Sequence, residues 1–379
     1  MRVLPRALQP ALTWLTGKPL SGQRPWHCTP MLHLIASVLP IVAGVALGWV
    51  LIDSGWAAIL LPVSWLLTTH GIRKLRVMIV HQCSHGNFLR NKRIDTALGT
   101  AIAVLLLTQE YTGYRKEHIG DHHSSNHMTL RDPTVQYLVL VLGMRAGMTR
   151  NELYRRMWLG VLSPSHQLKA TCSRIGSHFR GTAPWYRTAV LALLAGQVGA
   201  VTALGIWPQF LLLWVFPLTV LFNAAATIRL SSRHIFPPPG QPSKGRAELA
   251  GHTHGVFFGD PAPAPAGCDG RRVRDWLRWW ERMLFVHLPG RLFVFVGDGP
   301  CHDFHHRFPR SRDWANYIFA RQQDIERGHP GWPHYTEVWG LRAAIDAAFT
   351  SLGQADQNRY DIARITDVDD RKLLSAFEE

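Results

Sequence analysis

The chain has 379 residues, of which 47% are hydrophobic, and 41 Lys and Arg against 26 Asp and Glu give a formal net charge of +15. The apolar residues form long blocks, which favour one membrane body over two soluble domains. Basic runs at 73–76, 90–93 and 271–274 stand beside these blocks, a placement typical of cytoplasmic flanks of membrane helices, which argues against nucleic-acid binding. Five cysteines without CxxC pairing indicate neither a disulfide framework nor a zinc ribbon.

The first half of the chain predicts a transmembrane hairpin within residues 31–70. The preceding residues 1–30 are basic and lack a small-residue cleavage pattern, so we expect a cytoplasmic segment leading into a retained anchor. Segment 31–52 is long enough to cross the hydrocarbon core, a turn follows at 53–55, and segment 56–69 returns. Apolar residues continue to recur at helical intervals after residue 70, so the second helix should extend beyond the membrane.

A second hairpin is predicted within 189–228, from apolar segments 189–206 and 210–228 joined by a turn at 207–209. With four membrane crossings, both termini lie on the same side of the membrane. We therefore expect an all-α integral membrane fold, a single domain over 1–379, with two transmembrane helical hairpins, interfacial helices and a cytoplasmic histidine-rich catalytic cap. The first two histidine clusters lie within 71–135, and the cap comprises 229–379, including an irregular Pro- and Gly-rich loop at 237–270.

Three histidine clusters stand out in the sequence: His-Gln-Cys-Ser-His at 81–85, His-Ile-Gly-Asp-His-His at 118–123 and His-Asp-Phe-His-His at 302–306. On a helix, i, i+4 spacing puts His81 with His85, and His118 with His122, on one face, where two rings can converge on one ion. Eight imidazoles exceed the needs of one ion and suggest two metals, although imidazole suits several transition metals alike. All clusters must then lie on one side of the membrane, so the apolar segments 94–107 and 283–296 should be re-entrant or interfacial helices.

The order HxxxH, HxxxHH, HxxHH among membrane helices resembles the integral-membrane fatty acid desaturase and hydroxylase superfamily. Residues 85–93, 122–126 and 131–133 add to this resemblance. It implies a non-haem di-iron centre that uses dioxygen to attack an unactivated C–H bond of a lipid chain. The ligands it implies are the eight clustered histidines and a ninth after the fourth crossing, namely His81, His85, His118, His122, His123, His234, His302, His305 and His306.

The sequence leaves open whether several further residues are ligands or hydrogen-bonding partners of the ligands. His252 and His254 compete with His234 for the ninth position, and a thiolate ligand from Cys83 or Cys301 is less favoured. Hydrogen-bonding partners of the ligands are expected among His127, Glu117, Asp121, Asp303 and Asp298.

The resemblance implies an oxygen-dependent acyl-lipid desaturase of the cell inner membrane with its catalytic face in the cytoplasm. A di-iron hydroxylase of a hydrocarbon chain is the main alternative, and a metal transporter or metal-binding membrane protein is the distant one, since the clusters flank the crossings rather than lie within them. The chain shows no haem or ferredoxin module, so electrons should come from a separate ferredoxin-like, rubredoxin-like or small haem protein. An acidic carrier would suit the basic cytoplasmic face around Arg271, Arg272 and Arg274.

Overall fold

The structure, a computed structural model, describes residues 3–240, 245–263, 270–328 and 331–365. Among these, four helices are long and apolar enough to cross a membrane. We call them the first to fourth spans: Pro30–Leu51, Gly55–Ser84, Pro184–Leu204 and Trp207–Leu230. The fold is that of an all-α integral membrane protein, and the two predicted hairpins are confirmed.

The first hairpin is held together by close backbone packing. The first span begins after Thr29, whose hydroxyl accepts a hydrogen bond from the Leu32 amide at 3.2 Å. A Cβ atom at Gly44 would lie 2.7 Å from the Ser64 carbonyl oxygen, and one at Gly71 would lie 2.3 Å from that of Ser37. Small residues at these positions allow the two helices to approach closely, as is usual in membrane proteins.

The second span continues past the bilayer, as the sequence predicts. Its 30 residues correspond to about 45 Å of helix, whereas the hydrocarbon core is about 30 Å thick. The helix changes to π-helical hydrogen bonding at Leu75–Val80 and ends with the α-helical turn His81–Ser84. The first histidine cluster therefore projects beyond the apolar part of the helix into the cap.

The apolar segments predicted not to cross are not among the four spans. Helix Lys92–Leu105 has 14 residues, about 21 Å, and is too short to span the bilayer. Segment 283–296 forms two π-helical turns, Met283–His287 and Gly290–Val294. Helix Gly270–Arg282 precedes them and exposes Val273 and Leu277 along one side, as an interfacial helix does.

The remaining elements build the cap, and the buried apolar residues of the described chain form three separate clusters. The described parts of the predicted irregular loop 237–270 include a helix and the strand Gly255–Phe257, which pairs in parallel with Glu337–Trp339. The loop prediction is wrong for these residues, because the strand partner comes from a segment about eighty residues later, which local sequence does not reveal. The other described helices are Arg6–Leu8, Gln9–Thr16, Tyr111–Glu117, His118–His122, Pro133–Gln136, Tyr137–Val141, Arg150–Leu162, Pro164–Ser177, Arg246–Ala250, Gly299–Cys301, His302–Arg307, Arg312–Asn316, Tyr317–Arg327, Leu341–Gly353 and Ile362–Arg364.

Candidate metal centre

The cap brings the nine predicted ligand histidines together in two adjacent groups. In each group every histidine offers a ring nitrogen, and these nitrogens all lie within 4.8 Å of one another. We call them the first group, His81, His85, His118, His123 and His305, and the second group, His122, His234, His302 and His306. Eight of the nine side chains are buried, and His123 is half-buried.

The middle cluster divides between the groups differently from the sequence expectation. The structure places His118 in the first group with His123, whereas His122 belongs to the second group. The cause is local: residues His118–His122 form a π-helix, in which the His123 amide donates to the His118 carbonyl at 2.9 Å. In a π-helix the i, i+5 residues align, so the α-helical i, i+4 pairing of His118 with His122 does not hold.

The third cluster follows ordinary α-helical geometry. In helix His302–Arg307 the residues His302 and His306 share one face and both contribute to the second group, with their Nε2 atoms 3.1 Å apart. His305 points to the first group, where its Nε2 lies 3.1 Å from that of His123. One short helix therefore serves both groups.

The spacing of the imidazole nitrogens fits transition-metal ligation. The Nε2 atoms of His85 and His118 are 3.0 Å apart, and the two pairs above are 3.1 Å apart. Two nitrogens bound at right angles to one ion at about 2.1 Å are about 3.0 Å from each other. The buried Nε2 atoms of His81 and His234 have no hydrogen-bond partner among the described residues, so each group also contains a nitrogen whose lone pair a metal would satisfy.

Burial keeps five of these histidines neutral, as metal ligation requires. For each of these five imidazoles, burial is the largest cause of the lowered pKa, and neighbouring imidazoles or arginines lower the pKa further. A neutral imidazole has one ring nitrogen with a free lone pair for a metal. The pKa lies well below the ordinary value for His85, His123, His234, His302 and His306.

Asp132 is a candidate functional residue. It was not identified from the sequence as a partner of the histidines. Its buried carboxylate lies 3.1 Å from His122 Nδ1 and 3.3 Å from His127 Nδ1, and it accepts hydrogen bonds from the amides of Met128 and Thr134. Burial raises the pKa of this carboxyl, but the adjacent His122 and His127 outweigh burial and hold the pKa well below its usual value. A carboxylate on Nδ1 leaves Nε2 of His122 facing the second group. The available signal was Asp-Pro, which predicts a helix N-cap next to the cluster.

The carboxylates expected beside the clusters have other hydrogen-bonding partners in the structure. Glu117 accepts a hydrogen bond from Gln109 at 2.6 Å, and Asp121 accepts one from Asn126 at 3.0 Å. Asp303 forms an ion pair with Arg321 at 2.7 Å, which ties the third cluster to helix Tyr317–Arg327. The buried Asp298 accepts a 3.4 Å hydrogen bond from Gln82.

The candidates for a ninth ligand occupy distinct places. His234 lies in the second group, and its Nδ1 is 3.1 Å from Thr253 Oγ1. His254 donates through Nε2 to the Ser232 carbonyl at 2.8 Å and lies outside both groups. The thiol of Cys301 points to the Gly17 carbonyl, and burial raises its pKa, which keeps it protonated.

A cleft of about 750 Å³ connects the first group with the surface of the cap. His85 and His123 lie at its inner end, and Phe304 and Phe308 form part of the wall. Four arginines line it: Arg246, Arg307, Arg310 and Arg327. The lining also includes Asp313 and Asp324, so the cleft is partly aromatic and has a net positive charge.

Four spans and two histidine groups define an integral membrane protein whose histidines could hold metal ions. Residues 54–339, about three quarters of the chain, match the fatty acid desaturase family, and the chain belongs to that family. A segment of 106 residues is 35% identical to the omega-6 fatty acid desaturase, chloroplastic, of Arabidopsis thaliana, and it covers 28% of this chain and 22% of that protein. The chain thus matches about a fifth of the length of that relative.

Proposed function

We propose that the protein is an oxygen-dependent fatty acyl desaturase whose two histidine groups each hold an iron ion. The observation that carries this proposal is the convergence of nine imidazoles, eight of them buried, on two adjacent points in a chain of the fatty acid desaturase family. In the overall reaction two neighbouring methylene groups each lose one hydrogen. Two electrons and two protons from outside complete the reduction of dioxygen to two waters.

Bound iron would supply the redox chemistry that activates dioxygen, and the chain supplies position and environment. The neutral imidazoles offer lone pairs, and Asp132 fixes the ring orientation of His122 through Nδ1. Because His122 and His123 are consecutive residues in different groups, the backbone keeps the two groups side by side. Burial of the histidines excludes bulk water from the reacting centre.

The cleft above the first group is our candidate route for the acyl substrate. Its aromatic wall, formed in part by Phe304 and Phe308, suits a hydrocarbon chain, and its arginines suit an anionic headgroup at the outer end. An acyl chain that enters along this cleft would pass His85 and His123.

We infer that the centre faces the cytoplasm of an inner membrane, because the basic flanks of the spans stand on the same side as the histidines. An acidic ferredoxin-like, rubredoxin-like or small haem protein would then deliver electrons near helix Gly270–Arg282, where Arg272 and Arg274 are exposed. Replacing both with Glu should slow reduction and remove its salt dependence. Arg342→Glu, on an exposed arginine of another helix, is the control, and unchanged reduction in the double variant would contradict this docking site.

Metal content tests the proposed function. After anaerobic loading with ferrous iron, the purified chain and a control with exposed His27→Ala should retain about two irons. His302→Ala with His305→Ala removes one ligand from each group and should abolish iron retention together with product formation. Retention of zinc in preference to iron, with no oxidised lipid, would contradict the proposal.

Product analysis separates the two oxidation outcomes. The iron-loaded enzyme, a reduced donor and a deuterated acyl lipid should yield a product two hydrogens lighter, measured by mass spectrometry. A product with one added oxygen instead would assign the chain as a hydroxylase.

A further inference from the structure

A second cavity, distinct from both histidine groups, lies where the first hairpin meets the cap. It has a volume of about 260 Å³. Aromatic side chains form much of its wall, and three buried polar side chains from the first two spans face it, namely His33, His70 and Lys74. The aromatic residues are Trp14, Trp26, Tyr317 and Phe319.

Lys74 gives this cavity an uncompensated positive charge. The side chain is 7% exposed, and its hydrogen bond is a 3.5 Å contact from Nζ to the Ala36 carbonyl. No carboxylate of the described residues lies within ion-pair distance of it. Arg291 repels it and Asp298 attracts it. Cys28 would attract it as a thiolate, but burial raises the pKa of this thiol and keeps it protonated, so two cations face one carboxylate. A buried cation without a close partner is costly, and an anion in the cavity would remove that cost.

The cavity lies at the depth of the lipid headgroups. Lys74 follows Gly55 by 19 residues, and His33 precedes Ile52 by 19, so each lies about 28 Å along its helix from the hairpin turn. The hydrocarbon core is about 30 Å thick, which places both residues at the interface opposite the turn. Leu32 and Ala36, which border the cavity, are exposed on the outer side of the first span, so the cavity opens toward lipid.

We propose that this cavity binds the phosphate headgroup of one anionic phospholipid, with Lys74 as the counter-ion. The volume equals about nine water molecules, enough for a headgroup and too small for a whole lipid. The acyl chains would leave past Leu32 and Ala36 and run along the first span. The rings of His33 and His70 are fixed because each donates a ring N–H to a backbone carbonyl, at 2.7 Å to Ala315 and 2.9 Å to Leu292. The cavity wall is therefore preorganised for its ligand.

Native mass spectrometry of the full-length protein as purified tests this proposal independently of catalysis. Phosphatidylglycerol added to the delipidated protein in detergent should give one retained lipid per chain. Lys74→Met should weaken retention about tenfold or more, since a charge-assisted contact is lost, whereas exposed Lys169→Met should bind as the parent does. Equal retention by all three proteins would overturn the proposal.

A second variant tests the site if Lys74→Met fails to fold. Ala36→Phe fills the mouth from the lipid side, keeps the charge, and should also lose the retained lipid. Retention equal to the parent would again overturn the site. Inorganic phosphate is the other arm: if it protects the lipid-free protein against heat in a Lys74-dependent way while phosphatidylglycerol does not bind, the ligand is free phosphate and the lipid assignment is wrong.

Discussion

At the scale of single residues, Asp132 shows that closeness in sequence to a histidine does not decide which carboxylate contacts it. It contacts both His122 and His127, whereas Asp121, which lies next to His122 in sequence, accepts a hydrogen bond from Asn126. A hydrogen bond from an imidazole to a carboxylate sets the tautomer and raises the basicity of the other ring nitrogen. Asp132 is thus expected to influence metal affinity without touching the metal.

Replacing Asp132 with Asn should weaken iron binding in the second group about 10- to 100-fold, the usual effect of losing such a partner. The measurement is iron retained per chain across a chelator titration. Asp121→Asn is the matched control and should retain iron as the parent does. Equal chelator sensitivity of both variants would show that Asp132 serves only to cap the helix that begins at Pro133.

The identities of the nine histidines were predictable from sequence, but their division between the groups was not. Clustered imidazoles beside apolar helices point to a metal site whatever the local geometry. The partners of His118 and His122 depend on whether the backbone hydrogen bonds connect residues four or five positions apart. The sequence His-Ile-Gly-Asp-His-His does not specify which of the two patterns forms. Asp132 was hidden for a related reason, because a ten-residue turn returns it to His122.

At the scale of elements, the glycines of the first hairpin set the distance between its helices. A side chain at Gly44 would meet the backbone of Ser64, which cannot move without shifting the second span. The second span carries the first histidine cluster at its end, so the hairpin packing reaches the metal centre through one continuous helix. The sequence predicted both helices from apolar length, but it did not reveal which glycines face the partner.

Gly44→Leu should destabilise the protein by about 1–3 kcal/mol through overpacking and lower the midpoint of thermal unfolding in detergent. Gly196→Leu is the matched control, because a Cβ at this position of the third span meets no atom within 4 Å. Both variants add the same apolar volume to a membrane helix. Equal midpoints for the two variants would contradict the close approach at Gly44.

At the scale of the whole molecule, the number of crossings places the nine histidines of the two groups on one side. Two hairpins return the chain to the same face, and helix Lys92–Leu105 does not cross. Apolar length predicted the four spans, and the need for the first two histidine clusters to lie on one side predicted that segment 94–107 does not cross. The strand pair Gly255–Phe257 with Glu337–Trp339 was not predictable, because three-residue strands that pair across a long connection carry little local signal.

Cysteine labelling from opposite sides of sealed vesicles tests this topology. The exposed Cys172 lies on helix Pro164–Ser177, between the second cluster and the third span, and should react with an impermeant maleimide only from the histidine side. A cysteine at Ser54, in the turn of the first hairpin, should react only from the other side, with the remaining cysteines replaced by alanine. Labelling of both positions from one side would contradict the hairpin.

The spread of the nine histidines along the chain also determines when the centre can form during synthesis. Both groups need a residue from the third cluster, so the first is complete only after 305 and the second only after 306 of the 379 residues have been made. The fourth span ends at Leu230, so all four membrane helices are synthesised well before the last ligand. The membrane helices are therefore complete before either histidine group is. Since metal binding and folding of a site are coupled, a newly made chain passes through a stage in which its helices are embedded while its cap is still open to proteases and chaperones.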